Sequence, residues 1–86
     1  MSVEELLRIV SGLSIEEKRK LVEELLDILI SSVNLENVPD DVGWRIVEAY
    51  RSGRLYDHQT IRDLGYAVSL AEPSKLAKIL KESRKK

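Results

Sequence analysis

The chain has 86 residues and no cysteine, its formal net charge is −1, and 34% of its residues are charged. A chain of this length forms one domain with a modest core, and the lack of cysteine excludes a disulfide framework or a thiolate metal site. Together with the scarcity of Met, Gln and Asn, this composition favours a cytoplasmic protein from a thermophile.

The first predicted element is a short helix over Ser2–Ser11, with a capping box of Ser2 and Glu5. Gly12 is expected to end it in the left-handed conformation. Glu4 and Glu5 stand where a secretory signal would be basic, and no apolar run reaches the roughly 18 residues that span a membrane. The pattern therefore predicts neither a leader peptide nor a membrane anchor.

The longest helical pattern runs over Ser14–Val33 and opens with a capping box of Ser14 and Glu17. Its apolar residues cover more than half of the helix circumference, which is wider than the face of an ordinary surface helix. We therefore expect this helix to be central in the fold and covered by neighbours on two or three sides. The apolar residues are Leu21, Val22, Leu25, Leu26, Ile28, Leu29, Ile30 and Val33.

The segment Asn34–Asp41 combines turn formers with a proline and predicts the main loop. Asp40 or Asp41 is the expected cap of a third helix, which runs to about Ser52 and stops at Gly53. The face predicted to be buried carries Val42, Ile46, Ala49 and Tyr50.

Asp57 is the expected cap of a fourth helix. Pro73 either ends this helix or kinks it into a fifth one, Ser74 to about Ser83, and the sequence leaves both possibilities open. The stripes of these two helices are Ile61, Leu64, Val68 and Ala71, then Leu76, Ile79 and Leu80.

These patterns predict one all-α domain over residues 1–86, made of about five short amphipathic helices in an orthogonal or bundle-like arrangement. Its basic C-terminal end is expected to fray from about residue 81. Five such helices in about 80 residues resemble the saposin-like lipid-binding proteins in size and layout, although the six cysteines of that family are missing here. That resemblance implies lipid or membrane-surface binding as an alternative.

A second resemblance lies in residues 13–29, LSIEEKRKLVEELLDIL, which are similar to the helical opening of small addiction-module antitoxin components. The resemblance covers about a fifth of the chain. It implies a regulatory role exerted by binding a protein.

Residues with chemical potential are few. His58 beside Asp57 is the only histidine, and adjacent helical residues point about 100° apart, so they do not converge on one ligand. The loop acids Glu36, Asp40 and Asp41 lack the spacing of an EF-hand. We therefore predict no catalytic residue, no metal site and no cofactor, and expect a protein that is not an enzyme.

Nucleic-acid binding receives limited support from the sequence. Residues 60–69, TIRDLGYAVS, have the I-x-x-L-G spacing of a helix-turn-helix, but a recognition helix would have to run through Pro73. Residues 1–73 carry 8 basic and 14 acidic side chains, which repels phosphate, whereas residues 74–86 carry 6 basic and 1 acidic. A nucleic-acid-associated regulator that uses this end is a further alternative, with a candidate basic patch of Lys75, Lys78, Lys81, Arg84, Lys85 and Lys86.

Four apolar residues lie off the main stripes and form the candidate partner surface. Trp44 and Val47 lie on the far side of the third helix, and Tyr66 and Leu70 are an i, i+4 pair on the far side of the fourth. Either the first and last helices cover them, or they are exposed and bind a protein partner or a second copy. The sequence leaves this choice open, and the function it favours is a non-catalytic protein-interaction module.

Overall fold

The structure, a computed structural model, describes residues 3–84, with side chains for residues 3–82. Within that range the chain is all-helical, without a strand, which confirms the predicted fold class. A 3-10 turn, Leu35–Asn37, joins the second helix to the third. The helices are α1 (Val3–Ser11), α2 (Ile15–Ser31), α3 (Asp40–Arg51), α4 (His58–Ala71) and α5 (Pro73–Arg84).

Helix α4 is the central helix, because α1, α2, α3, α5 and the 3-10 turn all pack against it. Small residues make this possible: Gly65, Ala67 and Ala71 are buried and let neighbouring backbones come close. Larger side chains fill the core between them. These are Ile61, Leu64 and Val68 on α4 itself, with Leu6, Val22, Leu25 and Leu76 among the most deeply buried partners.

The expectation that α2 is the central helix is therefore wrong. Its buried residues are confined to one face. Among the described helices, α2 packs extensively only on α4. The C-terminal part of its apolar arc is open to solvent: the side chain of Ile30 is 78% exposed, and Val33 lies beyond the helix and is exposed as well. The wide arc thus reflects one buried face and one uncovered face.

Two predicted helix boundaries are confirmed by their hydrogen bonds. Ser14 Oγ accepts from the Glu17 amide at 3.2 Å, and Glu17 Oε1 accepts from the Ser14 amide at 3.1 Å, which completes the capping box. Gly53 ends α3 with φ of 70°, a left-handed conformation that favours glycine. The Arg54 amide donates to the Ala49 carbonyl at 2.8 Å, as in a Schellman motif.

Other boundaries differ from prediction. Among the described residues only Gly53 has a positive φ, so Gly12 is not in the left-handed conformation. Helix α1 instead ends in tight turns in which the Gly12 amide donates to the Ile9 carbonyl at 3.1 Å. The predicted capping box of Ser2 and Glu5 includes Ser2, which lies outside the described residues.

The caps of α3 and α4 also differ in detail. Pro39, rather than Asp40 or Asp41, is the N-cap of α3, and its carbonyl accepts from the Gly43 amide at 3.0 Å. The two aspartates lie inside the first turn, where their charge complements the helix dipole. Asp57 is the N-cap of α4, but its side chain makes no capping hydrogen bond within the described chain.

Helices α4 and α5 are separate. A single residue, Glu72, joins them in a non-helical conformation, and Pro73 is the first residue of α5, where a proline suits the helix start. The described backbone of α5 stays helical to Arg84, beyond the point near residue 81 where fraying was predicted. No helix in the described part of the chain is long and apolar enough to cross a membrane.

Two glycines, one on α4 and one on α3, test how closely the helices pack. A Cβ on Gly65 would collide with the Leu6 side chain, which is fully buried and cannot easily move, so we expect Gly65→Ala to cost about 1–3 kcal/mol of unfolding free energy. A Cβ on Gly43 of α3 would meet no atom of the described chain within 4 Å, so Gly43→Ala should stabilise by roughly 0.5–1 kcal/mol. Urea unfolding of both variants measures the contrast, and effects of equal sign would contradict the packing.

Candidate interaction groove

An open groove lies between α2 and α3. Both helices pack on α4, but within the described chain they make few contacts with each other. Because the two helices pack on a shared partner and not on each other, apolar side chains between them stay uncovered. This gap is the feature of the molecule that most resembles a binding site.

The walls of the groove come from both helices, and its lining is apolar throughout among the described residues. Its volume is about 230 Å³, and we call it the α2–α3 groove. Ala67 of α4 is also part of the lining, and its small side chain keeps the groove from being filled. The other lining residues are Leu26, Leu29, Ile30, Leu35, Val38, Gly43 and Ile46.

A second depression of about 310 Å³ continues this surface over the N-terminal half of α3, and we call it the Trp44 shelf. It shares Leu35, Val38 and Gly43 with the groove, so the two are contiguous. The side chain of Trp44 is 68% exposed, which is unusual for the single tryptophan of a small domain. The shelf adds Pro39, Asp40, Trp44 and Val47 to the shared residues.

The structure brings together two of the four residues predicted as a partner surface. Trp44 and Val47 are both exposed and both line the shelf. Tyr66 is exposed and Leu70 is half-buried, and neither lines the groove or the shelf. The sequence left open whether the first and last helices cover the outer faces of α3 and α4. Helices α1 and α5 pack on α4, but neither packs extensively on α3, so the outer face of α3 stays open.

Tyr50 lies in the predicted buried stripe of α3, but the structure leaves it exposed, and it lines neither the groove nor the shelf. Leu35 and Val38 line both, although the sequence pattern predicts them only as loop residues. The available signals were two apolar residues in an otherwise polar loop, and a glycine inside a helix, where it costs stability.

A buried carboxylate fixes α3 to α4 in a cleft separate from the groove and the shelf. Asp63, whose side chain is only 8% exposed, accepts from Arg45 Nε at 3.2 Å and from Arg45 Nη2 at 3.3 Å. Gln59 Nε2 donates to the same carboxylate at 3.3 Å, and Asp41 forms a further ion pair with Arg45 at 3.3 Å. The hydrogen bond and charge of Asp63 raise the pKa of Arg45, so this residue is a permanent cation whose charge is already paired.

The candidate basic patch is not a uniformly basic surface. Lys75 and Lys78 line a cleft of about 400 Å³ between α5 and α2. Glu24, Asp27 and Glu82 line the same cleft and oppose their charge. Lys81 is exposed, whereas the side chain of Arg84 and all of Lys85 and Lys86 lie outside the described residues.

His58 is exposed at the first position of α4. The described residues contain no group of three or more His, Cys, Asp and Glu side chains that could hold a metal ion. Comparisons with protein-family models, with curated proteins and with solved structures find no match to this chain.

The pairing of Arg45 with Asp63 gives a test of how α3 is held. Asp63→Asn removes the buried charge to which two nitrogens of Arg45 donate hydrogen bonds. We therefore expect a clearly lower midpoint of thermal unfolding. Asp41→Asn removes only an exposed pair within one helix, and its effect should be small. Equal losses from the two variants, measured by circular dichroism, would contradict the anchoring role of Asp63.

Proposed function

We propose that the protein is a non-catalytic interaction module that binds another protein through the α2–α3 groove and the Trp44 shelf. The observation that supports this most is the contiguous apolar surface with an exposed tryptophan at its edge. Monomeric proteins rarely leave such a patch in water unless it has a partner. Tryptophan and tyrosine are also the residue types enriched at binding hot spots.

The energetics favour binding at this surface. Ile30, Leu35, Trp44 and Val47 line the groove or the shelf and are large apolar or aromatic side chains that the fold leaves exposed. Fully burying a side chain of this size is worth about 1.5–3 kcal/mol relative to leaving it in water. Covering several of them would supply enough free energy to offset the cost of association.

A binding role is also supported by the state of the polar groups. The most buried carboxylate outside the helix termini, that of Asp63, is engaged by Arg45 and Gln59 and so is committed to holding α3 on α4. The absence of cysteine supports a reducing compartment, the cytoplasm, as the setting of the proposed interaction.

Two exposed isoleucines of α2 provide a matched test. Ile30 lies in the groove, whereas Ile15 lies at the opposite end of the helix and is similarly exposed, at 71%. The probe is a neutral amphipathic peptide with leucine at i, i+3, i+4 and i+7 and glutamine elsewhere, titrated by calorimetry. We expect Ile30→Ala to weaken binding several-fold and Ile15→Ala to leave it unchanged, because both alter α2 alike but only Ile30 borders the groove.

Trp44→Ala gives a second test of the same surface. Since Trp44 is mostly exposed, its truncation leaves no large cavity, and we expect monomer stability to change by less than about 1 kcal/mol. Peptide binding should weaken by about 2 kcal/mol or more, the size of a hot-spot loss. A loss of about 3–5 kcal/mol in unfolding free energy would instead show that Trp44 belongs to the core. Flotation of the wild-type protein with liposomes, unaffected by Trp44→Ala, would favour a lipid-binding role elsewhere on the molecule.

A further inference from the structure

The segment that supplies most of the groove is strongly acidic. Residues 21–50 contain seven acidic side chains and a single basic one, Arg45. Arg45 pairs with Asp41 within this segment and with Asp63 outside it, so among the seven acids its ion pairs offset only Asp41. The acidic residues are Glu23, Glu24, Asp27, Glu36, Asp40, Asp41 and Glu48.

Three of these acids lie beside the apolar surface. On α2, Glu23 precedes Ile30 by seven residues, so helical spacing places it on the same outward face. Asp40 lines the Trp44 shelf, and Glu36 lies between Leu35 and Val38 in the chain. All three are exposed, whereas Glu24 and Asp27 line the cleft towards α5 together with Lys75 and Lys78. The result is an apolar strip with a negatively charged rim.

We infer that the natural occupant is a basic amphipathic helix of another protein, with apolar side chains in the groove and lysine or arginine against the rim. This inference rests on the proposed function and adds the chemistry of the partner. The groove is bounded by two helices, and the described residues contain no strand whose edge could pair with an extended peptide. An apolar groove between helices suits a helix with anchors at i, i+3 or i+4, and i+7.

A second copy of the chain fits this surface poorly. A symmetric dimer would place one acidic rim against another, which is unfavourable. The basic helix of the chain itself, α5, has no free apolar face to offer, because Leu76, Ile79 and Leu80 are buried in its own core. An anionic membrane would likewise be repelled by the rim.

Gly43 marks the point of closest approach for the partner. It lies where the groove and the shelf meet, and no atom of the described chain comes within 4 Å of the position its Cβ would occupy. A glycine inside a helix is unfavourable for folding, so the open space it leaves has a cost that binding would explain. A larger side chain at this position would begin in the open space that the groove and the shelf share.

The experiment compares two peptides that share the leucine positions of the neutral probe. One carries lysine and the other glutamate at the solvent-facing positions, and both are followed by fluorescence anisotropy of an attached dye. We expect the lysine peptide to bind at least about tenfold more tightly at low salt, with the preference shrinking as ionic strength rises. Gly43→Leu should abolish binding while the thermal midpoint stays at or above wild type. The double variant Glu36→Lys, Asp40→Lys should reverse the preference.

Each other outcome overturns the inference in an identifiable way. If both peptides bind equally and Gly43→Leu blocks both, the partner is not basic, although the proposed function stands. If none of the three peptides binds, the proposed function fails as well. It also fails if Gly43→Leu and Ile30→Ala both leave peptide binding unchanged. Concentration-dependent dimerisation that Gly43→Leu abolishes would assign the groove to a second copy. Anionic vesicles that bind in the same Gly43-dependent way would assign it to a lipid surface.

Discussion

The structure depends on the close approach of neighbouring helices to α4. Gly65 is the extreme case, since even a methyl group there would collide with the buried side chain of Leu6 on α1. Ala67 and Ala71 extend the same property along the helix. A helix with small residues on several sides can be surrounded, and the other four helices need only one buried face each, which is how a short chain builds a continuous core.

That arrangement explains why a groove exists. Because α2 and α3 each satisfy their buried face against α4, neither needs the other, and the space between them stays open. The bidentate pairing of Arg45 with Asp63 holds α3 on α4 through residues that line neither the groove nor the shelf. The surface proposed for binding is thus a consequence of how the core is organised around α4.

Features set by local chemistry could be predicted from the sequence. The capping box at Ser14, the left-handed end at Gly53 and the number of helices follow from residue types at short spacing, and the structure confirms them. The central role of α4 could not be predicted, because Gly65 and Ala67 do not register as an apolar stripe. The exposure of Trp44 was undecidable, since a two-sided helix has the same pattern whether its second face meets the core or water. The groove depends on α2 and α3 packing on α4 and not on each other, which is a property of tertiary packing.

The central claim is that the outer face of α3 is uncovered in the folded monomer. Trp44 is the only tryptophan, so its fluorescence reports on this face alone. The direct measurement is its emission spectrum and its quenching by acrylamide, recorded at a concentration where ultracentrifugation shows a monomer. The exposed position predicts emission and quenching close to those of a free indole in water. A blue-shifted emission that acrylamide cannot reach, persisting in the diluted monomer, would contradict the account.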